Sequence, residues 1–444
     1  MIRMKIKLLI SLGLISCAST VQALDLFEAY SRAKSTDPAW QANVLQYEAD
    51  QLNLGIAKSM ALPRVTVSGS VARNNQDIDI RIVPLRAKLK DTSTPTQIGI
   101  GARQPIFRMD IWENIQQAKT SNNLSEINLK LQQQNHILNV AESYFNVLRQ
   151  QSLTAAYLQE EQALSEQLRM MNAKLNEGLV AQSDVSEANA QYQNARANRM
   201  STHVQLVLAQ EQLQQLIGPY RDNLAVLRDD FQFQTPVPND LNSWVTMAQS
   251  KNLNILQARL QTQLADDQRR VEKADLYPKV DLVASYGTSE QKPYNLFEVE
   301  GESTQVGVEM SWDVFNGGRT QKSIKQAGLN VQKSEAQLES AIRRSNTDVK
   351  KSFMQVETDQ SKLQARQAAM QSSEMVSNAS KAQYNEGLRS MVDVLLAQRN
   401  AFSAKTDYLN AKYDYLIHVL QLKATVGQLD ENALKEMNAW LVEK

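Results

Sequence analysis

Cysteine is almost absent: Cys17 is the only one in 444 residues. A chain with one thiol has no intramolecular disulfide framework and no cysteine metal cluster. Glycine and proline are scarce, at 15 and 10 residues. So little turn material places most of the chain in a few long helices and argues against a many-turned α/β enzyme. Net charge is also absent, with 48 basic side chains against 48 acidic. No whole-chain field draws this protein to nucleic acid or anionic lipid. Beyond the N-terminal segment there is no run of 18 apolar residues, so no transmembrane helix is expected and any membrane role must use strands.

The N-terminal segment reads as a secretory leader over residues 1–23. Arg3, Lys5 and Lys7 precede an apolar core at 8–15, and Val21-Gln22-Ala23 supplies small residues before Leu24. Leu14-Ile15-Ser16-Cys17 also resembles a lipoprotein box, whose Cys would be acylated; the alternative is a Cys discarded with the leader.

Self-similarity is the strongest organisational signal. Asn176-Glu177-Gly178-Leu179 returns as Asn385-Glu386-Gly387-Leu388, and the same interval relates Asp184 to Asp393, Val185 to Val394 and Gly218 to Gly427. Thr96-Gln97-Ile98-Gly99-Ile100 matches Thr304-Gln305-Val306-Gly307-Val308, and Leu62-Pro63 matches Tyr277-Pro278. The chain therefore reads as one unit written twice, over residues 24–235 and 236–428, with a tail at 429–444. Each copy is expected to run short helix, helix ending at a Pro, strand, loop, strand, very long helix, tight turn, helix.

The helices carry heptad seams rich in alanine, among them Val394, Ala397, Ala401, Ala404, Tyr408, Ala411 and Tyr415. Small seam residues let axes approach closely, as a curved wall of helices requires. A soluble coiled coil would show the same seams, and the strands distinguish the two. Ile98, Ile100, Ala102 and Val306, Val308, Met310 alternate with polar or small residues, giving one apolar face. Val65, Val67, Val71 and Val280, Leu282, Ala284 begin partner strands of roughly 10 residues, enough to cross a bilayer when tilted. Four strands cannot close a barrel, and open edges do not persist in lipid. Two copies of the chain would give a barrel filled by side chains and three would leave a lumen, so a duct implies a trimer.

Helix lengths carry a further expectation. The helix from about 110 to 176 spans ~100 Å, whereas its return arm from about 180 to 217 covers ~57 Å. The helix from about 38 to 62, ~38 Å long, can stack on the return arm to make up the difference. The helices at about 318–384, 389–426 and 254–278 repeat the sum.

These residues carry a resemblance to the TolC family of outer-membrane exit ducts in Gram-negative secretion and drug efflux. Its most telling pieces are Tyr144-Phe145-Asn146-Val147-Leu148, Gly178-Leu179-Val180-Ala181, Asp184-Val185, Leu256-Gln257-Ala258-Arg259-Leu260 and Met391-Val392-Asp393-Val394. The resemblance implies a mainly α protein with membrane β-structure: a homotrimer with one twelve-stranded β-barrel, a twelve-helix periplasmic α-barrel and an equatorial collar of short helices. It implies no enzymatic activity. It also implies a periplasmic gate in which Tyr384 and Arg389 of the second hairpin hold Asp184 of the first. A lumenal carboxylate ring is implied at Asp393; Leu396 stands where the family usually has a second Asp. Implied partners are outer-membrane lipid, a periplasmic adaptor and an inner-membrane pump of the RND, ABC or MFS type. The hairpin tips Gly178-Leu179 and Gly387-Leu388 are expected to dock the adaptor, since glycine reverses the chain and the following leucine offers an apolar knob.

No cofactor or metal site is expected. His136, His203 and His418 lack metal-ligand spacing and read as surface or interhelical residues. Gly99, Gly101 and Gly317-Gly318 form no phosphate loop, and the acid pairs Asp229-Asp230 and Asp266-Asp267 lack the context of a cleft. The segment 287–301 and its border are acidic at Glu290, Glu298, Glu300 and Glu302, while 74–96 carries Arg81, Arg86, Lys88 and Lys90. These segments either pair across a cell-surface mouth or are solvated. Two functional readings follow. One is a passive conduit opened by an adaptor and pump; the alternative is a periplasmic coiled-coil adaptor or scaffold without a pore.

Overall fold

A computed structural model of the chain describes residues 23–82, 85–220, 223–228, 233, 235–292 and 299–442. Most of the expected leader, up to Gln22 and with Cys17, lies outside the described residues, as do Asp229, Asp230 and Glu298 and the side chains of Arg81 and Arg86.

The elements in chain order are α1 (Leu26–Thr36), α2 (Pro38–Ser59), β1 (Arg64–Val71), β2 (Asn74–Ile82), β3 (Leu85–Ser93), β4 (Thr96–Phe107), α3 (Met109–Asn176), α4 (Gln182–Ile217) and β5 (Val226–Leu227). They continue with α5 (Leu241–Lys251), α6 (Leu253–Ala274), β6 (Lys279–Gln291), β7 (Val299–Ser311), α7 (Arg319–Asn385), α8 (Met391–Thr425), α9 (Glu431–Asn438) and β8 (Leu441–Val442). Local chemistry explains most of the helix boundaries. Asp25, Asp37, Asp240, Asn252 and Asp430 each accept backbone N–H bonds as N-caps, and Pro38 occupies the first turn of α2. The regular part of α2 stops at Ser59, three residues short of Leu62, and that of α6 at Ala274. Each is followed by i to i+3 bonds into the residues before Pro63 and Pro278, where proline disfavours helical backbone.

β1, β4, β6 and β7 form one antiparallel sheet in that order. The expected loop between the first two strands is in fact an antiparallel ribbon, β2 paired with β3. Its register sets Asp77 opposite Lys90 and Asp79 opposite Lys88, between rows that hold Ile78 with Leu89 and Ile80 with Ala87. Alternation with period two and opposite charges across the pair favour a ribbon over a solvated loop.

The helices form a wall four positions wide. α3 is 68 residues, about 100 Å. Its sheet-proximal half packs on α2, where Ser125 Oγ donates to Asp50 Oδ2 at 2.6 Å, and its distal half packs on α4 through Arg199 and Glu161. Along a second face, Gln257 of α6 donates to Asn128 at 2.8 Å, and farther out Arg149 pairs with Asp414 of α8 at 2.8 Å. α7 borders both α6 and α8, with Thr262 bonded to the Ser334 carbonyl and Arg366 paired with Asp407. Thus α2 and α4 share one track along α3, and α6 and α8 share one along α7.

The main core lies midway along this wall. Leu24, Tyr30, Ile137, Tyr144, Leu416 and Leu434 are among its buried residues. The Tyr144 hydroxyl lies 2.9 Å from the Leu24 carbonyl and 2.8 Å from that of Ala225, tying the first described residues to the middle of the chain. Burial pushes its ionisation far above the ordinary tyrosine range. The tail joins the same core: Asn438 accepts the Leu26 N–H at 3.0 Å, and β8 pairs with β5. His136 is buried here as an interhelical residue, stacked on Trp40 with Nε2 3.2 Å from Asp37.

Candidate functional site

Two regions concentrate functional chemistry: the sheet and the paired hairpin tips. In the sheet, register converts local alternation into two faces. Val65, Ala102, Ala284 and Val306 lie in one row, and Val67, Ile100, Tyr286 and Thr304 in the next but one, all on the same face. Val67, Val306 and Val308 on that face are strongly exposed in the single chain. The other face carries Thr66, Ser68, Gly99, Gly101, Ser285 and Gln305 in the intervening rows. Among the described residues, β1 and β7 each have one edge without a strand partner.

At the helix-proximal end of the polar face, charges from three strands meet. Arg103 of β4 lies 2.8 Å from Asp281 of β6 and 2.8 Å from Glu309 of β7, and Arg108 reaches Asp281 at 3.4 Å. Sequence reasoning missed this cluster. Arg103 and Asp281 are 178 residues apart in the chain, and no local spacing connects them.

At the tips, each long helix ends in a Schellman motif. Gly178 has φ 72°, the Leu179 N–H donates to Lys174 O at 2.9 Å and the Gly178 N–H to Leu175 O at 2.9 Å. Gly387 has φ 74°, with Leu388 N–H to Gln383 O at 2.8 Å and Gly387 N–H to Tyr384 O at 3.0 Å. Glycine is needed here because other side chains resist this left-handed backbone. The leucine after such a turn usually covers an apolar residue of the last helical turn, but those positions are Lys174 and Gln383. Leu179 and Leu388 accordingly stand 71% and 76% exposed.

The returning helices begin with related caps. The Asp184 carboxylate accepts the Ala181 N–H at 3.3 Å. Ser390 and Asp393 complete a reciprocal capping box: Asp393 Oδ2 accepts Ser390 N–H at 3.2 Å and the Ser390 hydroxyl at 2.7 Å, and Ser390 Oγ accepts Asp393 N–H at 3.2 Å. The hydroxyl bond, then the backbone bond, hold the Asp393 carboxyl below the usual aspartate value.

Within the protomer, the expected gate residues are not joined to one another. Asp184 bonds within its own cap, and the Arg389 guanidinium donates to Ser380 Oγ at 3.1 Å in its own hairpin. Tyr384 does cross between hairpins, but its partner is Lys174, whose ammonium donates to the phenol oxygen at 3.1 Å. Beneath this contact the tips share an apolar cluster that includes Leu164, Met171, Val185, Met391 and Val394. Leu396 is exposed one turn beyond Asp393.

The model of the family described as outer membrane efflux protein matches residues 29–219 and 244–428. The chain is 30% identical over 442 residues to outer membrane protein TolC of Escherichia coli (strain K12), covering 97% of this chain and 88% of the relative. It is 25% identical over 417 residues to alkaline protease secretion protein AprF of Pseudomonas aeruginosa, covering 93% and 86%. The solved CmeC outer membrane channel of Campylobacter jejuni shares the fold, with TM-score 0.78 at 16% identity, covering 94% of this chain and 90% of that one. The chain belongs to the outer membrane efflux protein family, and its place is the outer membrane.

Proposed function

We propose that three copies of this chain assemble into one passive exit duct for efflux or protein secretion. The observation that carries the reading is the four-stranded antiparallel sheet with one apolar face and two edges that have no strand partner among the described residues. In this order β1 and β7 run in opposite directions, so β7 of one copy can pair antiparallel with β1 of the next, and three copies close twelve strands around a lumen. Closure removes the edges that lipid does not tolerate. The helices support the same symmetry. On α2, at one border of the wall, Leu45, Leu52 and Ile56 step by seven and four and remain exposed; on α7, at the other border, Leu329, Met354 and Met375 are exposed as well. Four helical tracks per chain give a twelve-track α-barrel, and the repeat copies 24–235 and 236–428 contribute two tracks each. α1, α5, α9 and the 429–444 tail form the equatorial collar around it.

The exposed tip leucines dock a periplasmic adaptor, which couples the duct to an inner-membrane pump of the RND, ABC or MFS type. The AprF relationship favours including protein secretion among the uses. At rest, Asp184 meets Tyr384 and Arg389 across the closed tips and Asp393 lines the constriction. No reaction is assigned to the chain. A pore-free periplasmic scaffold does not account for the apolar face of the sheet.

Single-channel recording of the purified protein in planar bilayers tests the proposal. Conducting units of trimeric mass are expected, with higher conductance after Tyr384→Phe combined with Arg389→Ser. A folded trimer that never conducts, or a monomer in native mass spectrometry, contradicts it.

A further inference from the structure

We propose that Lys174 is a positioning residue of the periplasmic closure, clasping the second hairpin to the first within one protomer by holding Tyr384. The inference rests on the gate reading above and adds to it a residue from outside the Asp184, Tyr384 and Arg389 set. Lys174 lies in the last turn of α3 and Tyr384 in the last turn of α7, so their bond joins the distal ends of the two hairpins. The ammonium nitrogen is 3.1 Å from the phenol oxygen and 4.5 Å from the ring centroid, so the same cation makes a hydrogen bond and a cation–π contact. Both side chains are half-buried, and Tyr384 packs on the rim of the apolar tip cluster together with Leu175, Val180 and Tyr192. Partial exclusion of water strengthens a charged contact there relative to one in open solvent.

The donor chemistry gives the clasp a direction. An ammonium only donates, so the phenol oxygen must accept from Lys174, and the single phenol proton remains free to be given elsewhere. In this protomer it points to Met171 Sδ, 3.9 Å away, a weak acceptor. Lys174 thus sets Tyr384 as a donor at the tip, ready for a carboxylate such as that of Asp184. Arg389, bonded to Ser380 in its own hairpin, performs no such crossing within the protomer.

The test uses the full trimer in planar bilayers, with trimer mass and heat-resistant barrel checked for every variant. Lys174→Met retains the aliphatic stem and removes the charge and its donors. It is expected to raise the open-time fraction by at least about fivefold, the lower range of coupling between sites, and Lys174→Arg is expected to stay closed. Combining Lys174→Met with Tyr384→Phe should open the channel no further than the more open single variant, because both remove the Lys174–phenol hydrogen bond that sets the donor. Wild-type behaviour of Lys174→Met beside an open Tyr384→Phe with Arg389→Ser channel would overturn the clasp and leave the gate standing. Wild-type behaviour of all of these channels would remove the gate itself. Additive opening by Lys174→Met and Tyr384→Phe, or a Lys174→Arg channel as leaky as Lys174→Met, would show that Lys174 does not act through its charge on Tyr384.

Discussion

Asp184 and Asp393 occupy the same third position of the two returning helices, and each carboxylate bonds back to the backbone N–H that precedes its helix, at 3.3 Å from Ala181 and 3.2 Å from Ser390. The interval between them is the one that separates Gly178 from Gly387. The two helices differ at the N-cap: Ser390 returns a hydroxyl bond that Ala181 cannot make. Only the second hairpin therefore starts its returning arm from a full capping box, which stiffens the segment that carries Asp393.

That asymmetry has a pH dependence with a definite sign. The Asp393 pKa is depressed, chiefly by the Ser390 hydroxyl. The cap is at full strength above the ordinary carboxylate value of about 3.9 and is lost as pH falls through the depressed value. Ser390→Ala removes the hydroxyl bond and should move the loss to higher pH. Hydrogen exchange at the first turn of α8, followed from pH 6 downward, reads this directly; equal protection profiles for the two proteins would contradict it.

Val308 lies on the apolar face of β7 and is 69% exposed in the single chain. Val308→Arg should reduce insertion by roughly 2–4 kcal/mol if the residue sits near the bilayer midplane. Gln305→Arg, on the polar face, should insert normally. Urea titration of both variants in lipid vesicles, scored by heat-modifiable gel mobility, compares them.

Leu52 belongs to the uncovered seam of α2. Leu52→Glu should weaken the trimer by about 1.5–3 kcal/mol per interface, the free energy of burying one such side chain. Analytical ultracentrifugation in detergent should show dissociation at concentrations where the parent protein stays assembled. Unchanged assembly would place this seam outside the interface between protomers.

Leu179→Glu with Leu388→Glu charges the two exposed tip knobs. Export in cells should fall to the level of a channel-deficient strain, while trimer mass and bilayer insertion stay as before. Undiminished transport would remove the tips from the docking surface.

Gly427 ends α8 with φ 71°, and a Cβ there would lie 2.2 Å from the Lys251 carbonyl oxygen. Gly427→Ala should destabilise the fold by about 2–4 kcal/mol, from left-handed backbone plus a backbone clash. Gly178→Ala meets no neighbour within 4 Å and should cost only the backbone part, about 1–2 kcal/mol. Chemical denaturation of the two variants separates the terms.

What the sequence by itself determined was local and periodic. Gly178 and Gly387 marked helix ends because few other residues adopt that backbone, and Pro63 and Pro278 marked strand entry because the residue before proline avoids helix. Alternation through Ile98, Ile100 and Ala102 set which strand face is apolar, since side-chain direction in a strand follows from parity alone. The ribbon of β2 and β3 was equally local, yet its charged residues obscured the same period. Tertiary structure decided every partnership between residues far apart in the chain. Arg103 meets Asp281 and Glu309 only because β4 and β6 are neighbours, and Tyr384 meets Lys174 only because two separate hairpins end at the same height. Such pairs leave no spacing in the chain: a charge chooses its partner by distance in the folded molecule, which is set by how whole helices and strands pack.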